Sequence, residues 1–171
     1  MDKLFFSEEH IMLVNMVADF ARSEIKPIAR ELDHESRFPK DIITKMGDLG
    51  LMGIPVPEQY GGAGMDTVAY TAAIMELVKA DASVAITVAA HTSLGTMPIV
   101  LSGSEEQKKE YVPKLASGKM LGAFGLTEPD AGSDAGATKT TAEKNGDYYI
   151  VNGGKIFITN AGVAGILSFT T

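Results

Sequence analysis

The sequence predicts an α+β protein in which an N-terminal all-α helical bundle, residues 1–118, precedes the first strands of an antiparallel β domain, residues 119–171. Two observations carry this prediction. Up to Gly118, apolar residues recur at three- and four-residue spacing, which is typical of amphipathic helices. From Met120 onward, short β-prone runs alternate with glycine-rich turns, which is typical of strands. A chain of 171 residues is long enough for one domain and part of another.

The first helix is predicted to begin after Ser7, a residue type that caps helices, because acidic side chains follow where the positive end of the helix favours them. Its apolar stripe continues to Leu32. Pro27 is expected to kink or break this run, since proline has no N–H to donate. A short second helix is predicted over residues 41–49, followed by a proline- and glycine-rich loop at residues 54–64.

Three further helices are predicted after this loop. Asp66 or Thr67 is expected to cap the third helix, and Ser83 the fourth. The fourth helix, residues 84–101, is apolar nearly all round, which predicts that it is buried rather than amphipathic. A capping box that begins at Ser104 predicts the start of the fifth helix.

The β region contains short runs of β-prone residues between turn signals. The predicted strands are residues 121–127, 138–143, 147–152 and 155–160. Asn145 and Gly146 are the strongest hairpin signal in the chain. Because a sheet that stopped at Thr171 would have unpaired edges, we expect the sequence to be part of a larger β domain.

Composition narrows the classes of function. The net charge of −7 disfavours nucleic acids and anionic membrane surfaces as partners, because both are negatively charged. The absence of cysteine excludes disulfides and thiolate chemistry, and the three histidines have no metal-ligand spacing. We therefore expect no metal site. We also expect no membrane insertion, because no run approaches ~18 apolar residues, and no secretory leader. Cytoplasmic localisation follows as an expectation.

The loop at residues 127–134 is the best candidate for a binding site. It is dense in hydroxyls, carboxylates and turn residues, and it follows a strand with small side chains that would let a flat ligand approach the backbone. On composition alone an ordinary polar hairpin loop remains the more common explanation. His91 lies on the predicted buried helix, where a hydrogen-bonded core histidine is more common than a catalytic one.

Several motifs in a fixed order resemble the acyl-CoA dehydrogenase family. Residues 122–129, GAFGLTEP, continued by AGSD at residues 131–134, resemble its first signature, and residues 155–161, KIFITNA, are similar to its second flavin-contacting strand. Upstream, residues 49–54 and 57–62 resemble its N-terminal helical domain. The resemblance covers essentially the whole chain, and the short-chain or butyryl-CoA members are the most similar. It implies a helical domain, a middle β domain and a C-terminal four-helix bundle, of which the last would be absent.

The resemblance also implies function. It implies FAD as cofactor, an acyl-CoA thioester as substrate, electron-transferring flavoprotein as electron acceptor and a homo-oligomer, dimer or tetramer. The implied cofactor-binding residues are Phe124, Gly125, Leu126, Thr127, Ser133, Phe157, Ile158 and Thr159. Ser133 would also contact the CoA portion of the substrate. The catalytic glutamate of the family usually belongs to the C-terminal bundle, so none of the glutamates here is assigned as the base, and Glu128 is expected to be a loop residue only.

Two other functions remain open at this stage. One is an oxidase on the same scaffold, which passes electrons to oxygen. The other is a non-catalytic helical module that keeps the fold for assembly or partner binding and holds no flavin. For the dehydrogenase, we expect the 171-residue chain alone to be inactive and to hold FAD weakly or not at all.

Overall fold

The computed structural model describes residues 6–171, in which helices come first and strands last. The α-helices are α1 (Glu8–Phe20), α2 (Ala29–Glu35), α3 (Lys40–Asp48), α4 (Thr67–Ala80), α5 (Ala82–Ala89), α6 (Met97–Ser102) and α7 (Glu105–Ala116). The strands are β1 (Gly122–Gly125), β2 (Thr141–Asn145), β3 (Tyr148–Asn152) and β4 (Ile166–Phe169). The predicted α+β class is therefore confirmed. The prediction that no secretory leader is present falls partly on residues 1–5, outside the described residues.

Local chemistry sets most helix boundaries. Ser7 caps α1 and Ser104 caps α7, each in a capping box, and the Asp66 carboxylate accepts the Ala69 N–H at the start of α4. These three predicted caps are confirmed. The predicted break at Pro27 is also confirmed, because α1 passes into a π-helical segment, Ala21–Ile25, and ends in a turn before α2 begins.

The predicted cap at Ser83 is wrong. Asp81 caps α5 instead, and its carboxylate accepts the Val84 N–H at 2.7 Å. Asp81 also ends α4, where its own N–H donates to the Leu77 carbonyl. Because one extended residue serves both helix ends, α5 begins at Ala82, directly after the turn.

The fourth predicted helix is only partly buried, contrary to its apolar sequence. It runs as α5, a π-helical segment (Ala90–Thr96) and α6, with one face in the core, while Ile86, Leu94 and Leu101 are exposed. Ala82–Ser102 is also long and apolar enough to cross a membrane by length and composition, although half of that window is buried inside the protein. The sequence prediction that no such stretch exists is therefore wrong. A partly buried core helix has the same length and composition.

The main core lies among the helices and reaches the start of the β region. α4 packs between α1 and α5, and the π-helical segment Ala90–Thr96 packs on β1. The largest buried side chains of this core include Ile25, Met46, Leu51, Met52, Ile54 and Leu77. Leu121, just before β1, belongs to the same cluster. The first strand is thus seated directly on the helical bundle.

The strands form two separate pairs. β2 and β3 are an antiparallel hairpin in which Asn145 pairs with Tyr148, so the hairpin predicted at Asn145 and Gly146 is confirmed. β1 and β4 pair in parallel, with Gly122 opposite Ile166. This parallel pair departs from the antiparallel prediction. It arises because the chain between the two strands returns to the same end of β1.

Candidate functional site

The first strand is held very close to the helical bundle. A Cβ built on Gly95 of the π-helical segment would lie 2.4 Å from the backbone carbon of Gly122, and one built on Gly122 would lie 2.9 Å from the Gly95 backbone. Only glycine allows this approach, because no real Cβ contact is that short. The small side chains of β1 therefore serve to seat the strand on the helices.

His91 joins the same two elements by hydrogen bonds. Its side chain is fully buried, its Nδ1 accepts the Gly122 N–H at 2.9 Å, and its Nε2 lies 3.1 Å from the Leu115 carbonyl oxygen. The partners assign the tautomer, since an N–H must face an unprotonated nitrogen and a carbonyl must face a protonated one. Burial lowers the pKa of His91 to about 4, partly opposed by the Leu115 carbonyl. The prediction of a hydrogen-bonded core histidine is confirmed.

The end of β1 presents groups that a ligand could use. Phe124 and Thr127 are half-buried and Leu126 is exposed. The Thr127 hydroxyl makes no hydrogen bond to any other residue of the described part of the chain, and neither does the Ser133 hydroxyl. Within residues 6–171, β4 is the only strand that pairs with β1, so the opposite edge of β1 carries no strand. Side chains occupy part of that edge, because Gly122 is bonded to His91 and Asn160, and the Leu126 carbonyl just beyond β1 is bonded to Lys155.

The second predicted flavin segment is not a strand. Residues 153–159 are irregular, and Phe157 and Asn160 have left-handed backbones with φ of 57° and 68°. The segment is anchored at both ends, because the Lys155 ammonium donates to the Leu126 carbonyl and the Asn160 amide donates to the carbonyls of Thr87 and Gly122. These anchors favour a bent path over the extended one that the β-prone residues predict.

The two predicted segments nevertheless lie side by side. The Ile156 N–H donates to the Thr127 carbonyl at 2.9 Å. The Phe157 side chain is 89% exposed, although a bulky residue rarely adopts a positive φ. Strained exposed residues of this kind cluster at ligand sites. Ile158 is half-buried and Thr159 is exposed.

Ser133 lies apart from these segments in the hydrogen-bond pattern. It is exposed on the loop after β1, which is folded back by paired hydrogen bonds between Glu128 and Ala131. Gly132 beside it has open space around it, since a Cβ built there would meet no atom within 4 Å. Seven of the eight predicted residues therefore lie on the two segments that the bond from Ile156 to Thr127 links. The eighth, Ser133, lies on the neighbouring loop.

Sequence reasoning missed a buried ion pair beneath this surface. Lys155 Nζ lies 2.7 Å from Glu128 Oε1, and the side chains are 9% and 5% exposed. Hydrogen bonds from Lys155, from the Thr140 hydroxyl and from backbone N–H groups lower the pKa of Glu128 to about 2. Such a carboxylate is a poor proton acceptor, which agrees with the prediction that Glu128 is not a base. The partners are 27 residues apart, so no local pattern signals their pairing.

We use the term flavin wall for Phe124, Gly125, Leu126, Thr127, Phe157, Ile158 and Thr159. An exposed aromatic ring, an exposed leucine and a half-buried threonine beside them fit a flat cofactor with a polar rim. Nothing bulky from the described chain covers Phe157. Residues 6–171 contain no group of three or more His, Asp or Glu side chains that could hold a metal ion.

Comparisons with known proteins identify the family of the chain. The family model for the acyl-CoA dehydrogenase N-terminal domain matches residues 7–119, and the model for the middle domain matches residues 123–171. An acyl-CoA dehydrogenase of Bacillus subtilis is 55% identical over 160 residues, which are 94% of this chain and 42% of that protein. The chain therefore spans less than half the length of this relative.

Solved structures show the same fold. Butyryl-CoA dehydrogenase from Megasphaera elsdenii is 41% identical with a TM-score of 0.92, and the match covers 99% of this chain and 45% of that one. Acyl-CoA dehydrogenase from Bacillus anthracis, determined in complex with FAD, is 41% identical with a TM-score of 0.91, and the match covers 99% and 29%. With two domain models that together match nearly its whole length, the chain belongs to the acyl-CoA dehydrogenase family.

Proposed function

We propose that this chain supplies one wall of the FAD site of an acyl-CoA dehydrogenase, which catalyses α,β-dehydrogenation of an acyl-CoA thioester. One observation carries the proposal. The hydrogen bond from Ile156 to Thr127 holds two separate segments together, and Leu126 and Phe157 are left exposed on them. Such an apolar surface with a few polar groups suits a flavin ring, and the bound cofactor accepts the hydride. The FAD complex of the Bacillus anthracis relative supports the choice of cofactor.

The residues of the wall have distinct proposed roles. Phe124 and Leu126 give apolar contact to one side of the ring, while the unbonded Thr127 hydroxyl and the Leu126 backbone meet its polar edge. Phe157, with Ile158 and Thr159 beside it, packs on the ring from the second segment. Ser133, exposed on its own loop, is proposed to contact both the flavin and the CoA portion of the substrate.

Proton abstraction is assigned to a glutamate outside residues 1–171. Glu128, the buried carboxylate beside the wall, accepts hydrogen bonds from Lys155 and Thr140 on one oxygen and from the Lys139 N–H on the other. A carboxylate with that many donors and a pKa of about 2 binds a proton weakly near neutral pH. Glu128 therefore serves structure rather than proton transfer.

The resemblance supports further proposals for the complete enzyme. We assign electron-transferring flavoprotein as the acceptor and a cytoplasmic homo-oligomer as the functional form. The butyryl-CoA dehydrogenase of Megasphaera elsdenii favours a short acyl chain. The net charge of the chain, −7, disfavours a nucleic-acid partner.

A chimeric enzyme tests the proposal. Residues 1–171 would replace the aligned part of the Bacillus subtilis relative, which is 55% identical. We expect a yellow protein with flavin absorption bands that oxidises butyryl-CoA with an artificial electron acceptor. The 171-residue chain alone should show no turnover and weak or no FAD binding.

The outcomes separate the competing functions. A colourless chimera beside a yellow, unmodified relative would contradict the wall and favour a non-catalytic module. Rapid reoxidation of the substrate-reduced flavin in air, compared with the relative, would favour the oxidase. Steady turnover of butyryl-CoA by the 171-residue chain would show that the base is inside it.

A further inference from the structure

The ammonium group of Lys155 joins three parts of the β region. Its Nζ donates to the Leu126 carbonyl at 3.2 Å, to Glu128 Oε1 at 2.7 Å and to the Thr170 hydroxyl at 3.0 Å. An ammonium has three N–H groups, so these acceptors satisfy it completely. The end of β1, the loop after it and the residue after β4 are therefore tied to one atom.

Glu128 completes the connection. Its Oε1 also accepts the Thr140 N–H and hydroxyl, and its Oε2 accepts the Lys139 N–H at 2.7 Å. The loop after β1 is thereby fixed to the start of β2. The two side chains are only 5% and 9% exposed, so water cannot hydrate either charge well, and removing one partner would leave the other charge buried and unpaired.

Packing does not replace these bonds. Every residue of β2 and β3, the hairpin between the two charged residues, is exposed. A hairpin without buried residues cannot set the position of the segment that follows it. The ion pair, the bond from Ile156 to Thr127 and the bonds of the Asn160 amide at the far end of the segment are thus the contacts that hold Lys155 and Phe157 beside β1.

The bond to the Leu126 carbonyl also fixes an orientation. In a planar trans peptide the C=O and the following N–H point in opposite directions. The Lys155 ammonium, by holding the Leu126 oxygen, sets the direction of the Thr127 N–H in the middle of the flavin wall.

We propose that Lys155 and Glu128 are a positioning pair that orients the Leu126–Thr127 peptide and holds the Phe157 segment beside β1 in the geometry that receives the flavin ring. The inference rests on the proposed function. Neither side chain is a catalytic residue, since both act through the backbone of the wall.

The alternative is an ion pair that only stabilises the fold. Single variants cannot separate the two roles, because either one leaves an unpaired buried charge. The double variant Glu128→Gln with Lys155→Met removes both charges and keeps similar side-chain lengths, so it restores a neutral interior while the Leu126 carbonyl loses its donor. Lys139→Met is the matched control, because that ammonium pairs with Asp130 at the surface of the same loop.

The first measurement uses the 171-residue chain without flavin. Amide hydrogen exchange followed by NMR reports the Ile156 N–H, which bonds to Thr127. We expect the double variant to remain folded by circular dichroism while this amide exchanges about tenfold faster, because local opening becomes easier. Unchanged Ile156 exchange in the folded double variant would overturn the proposal. This measurement tests the positioning role even if the chimera binds no flavin. Failure of the chimera to bind flavin would count against the proposed function alone.

The second measurement uses the chimeric enzyme with FAD bound. We expect the double variant to raise the Kd for FAD about tenfold, because the wall loses roughly the contribution of one charge-assisted hydrogen bond. Lys139→Met should leave the Kd unchanged. A folded double variant that binds FAD as tightly as the parent would refute the pair's role.

Discussion

Acidification should weaken the attachment of β1 to the helical bundle through His91. The neutral ring accepts the Gly122 N–H and donates to the Leu115 carbonyl, and burial lowers the pKa of His91 to about 4. A proton on Nδ1 would place a donor against the Gly122 donor. The folded state therefore resists a proton that the unfolded chain accepts at its usual pKa of about 6.5.

The sign and size of the effect follow from linkage. The folded pKa is depressed, so the stabilisation is complete above pH ~6.5 and is lost as the pH falls toward ~4. A difference of about 2.5 pKa units corresponds to roughly 3 kcal/mol of unfolding free energy over this window. About 2 kcal/mol of that is lost between pH 7 and pH 5, which lowers the Tm by about 4–8 °C for a chain of this size. Carboxylates with lowered pKa values, such as Glu128, contribute only below that range.

Urea unfolding followed by circular dichroism at pH 5, 6 and 7 measures this loss. His91→Asn keeps an acceptor for Gly122 but cannot ionise. Because the Leu115 carbonyl is left unpaired, the unfolding free energy of this variant should be lower at pH 7 by about 1–3 kcal/mol. Its decline between pH 7 and pH 5 should be about 2 kcal/mol smaller than that of the unmodified chain. His34→Asn, at an exposed histidine, is the control and should retain the full decline. Equal declines for the unmodified chain and His91→Asn would refute the reasoning.

Three further substitutions test the fold and the wall. Gly95→Ala should lower the unfolding free energy by about 1–3 kcal/mol, because its Cβ would meet the Gly122 backbone at 2.4 Å. Gly132→Ala is the control and should have little effect in the same urea titration, because Gly132 has open space around it. Ser104→Ala removes the cap of α7 and should cost about 1 kcal/mol in that assay. Phe157→Asn relieves the strain of a positive φ, so it should raise the unfolding free energy of the chain by about 1 kcal/mol. Because it also removes an exposed aromatic ring, it should weaken FAD binding by the chimera. Lower stability together with unchanged FAD affinity would contradict both expectations.

Features set by neighbouring residues were predictable from the sequence. Ser7 and Ser104 cap helices because their hydroxyls reach an N–H three residues away, and Pro27 breaks a helix because it lacks an N–H. The hairpin at Asn145 needs only a residue with positive φ, which Gly146 supplies with 62°. Ser83 failed as a cap because Asp81, two residues earlier, already begins α5 by accepting the Val84 N–H, and it also ends α4.

Features set by distant residues were not predictable. Residues 155–160 resemble a strand because several are β-branched or aromatic. However, Lys155 is bonded to Leu126 and Asn160 to Thr87, which lie 29 and 73 residues away. The same limit hid the ion pair of Glu128 with Lys155. The family motif named the residues of the wall without revealing what holds them in place.

The wall therefore depends on two supports of different chemistry. Behind β1, Gly95 and the neutral His91 seat the strand on the helices, and this support weakens as the pH falls below about 6.5. Beside β1, the Glu128 carboxylate that bonds Lys155 stays ionised over that range, because the Glu128 pKa is about 2. Mild acid should thus loosen the strand from the bundle while the two segments of the wall stay joined. At pH 5 the Gly122 amide should lose protection from hydrogen exchange before the Ile156 amide does, and the reverse order would show that the two supports are not independent.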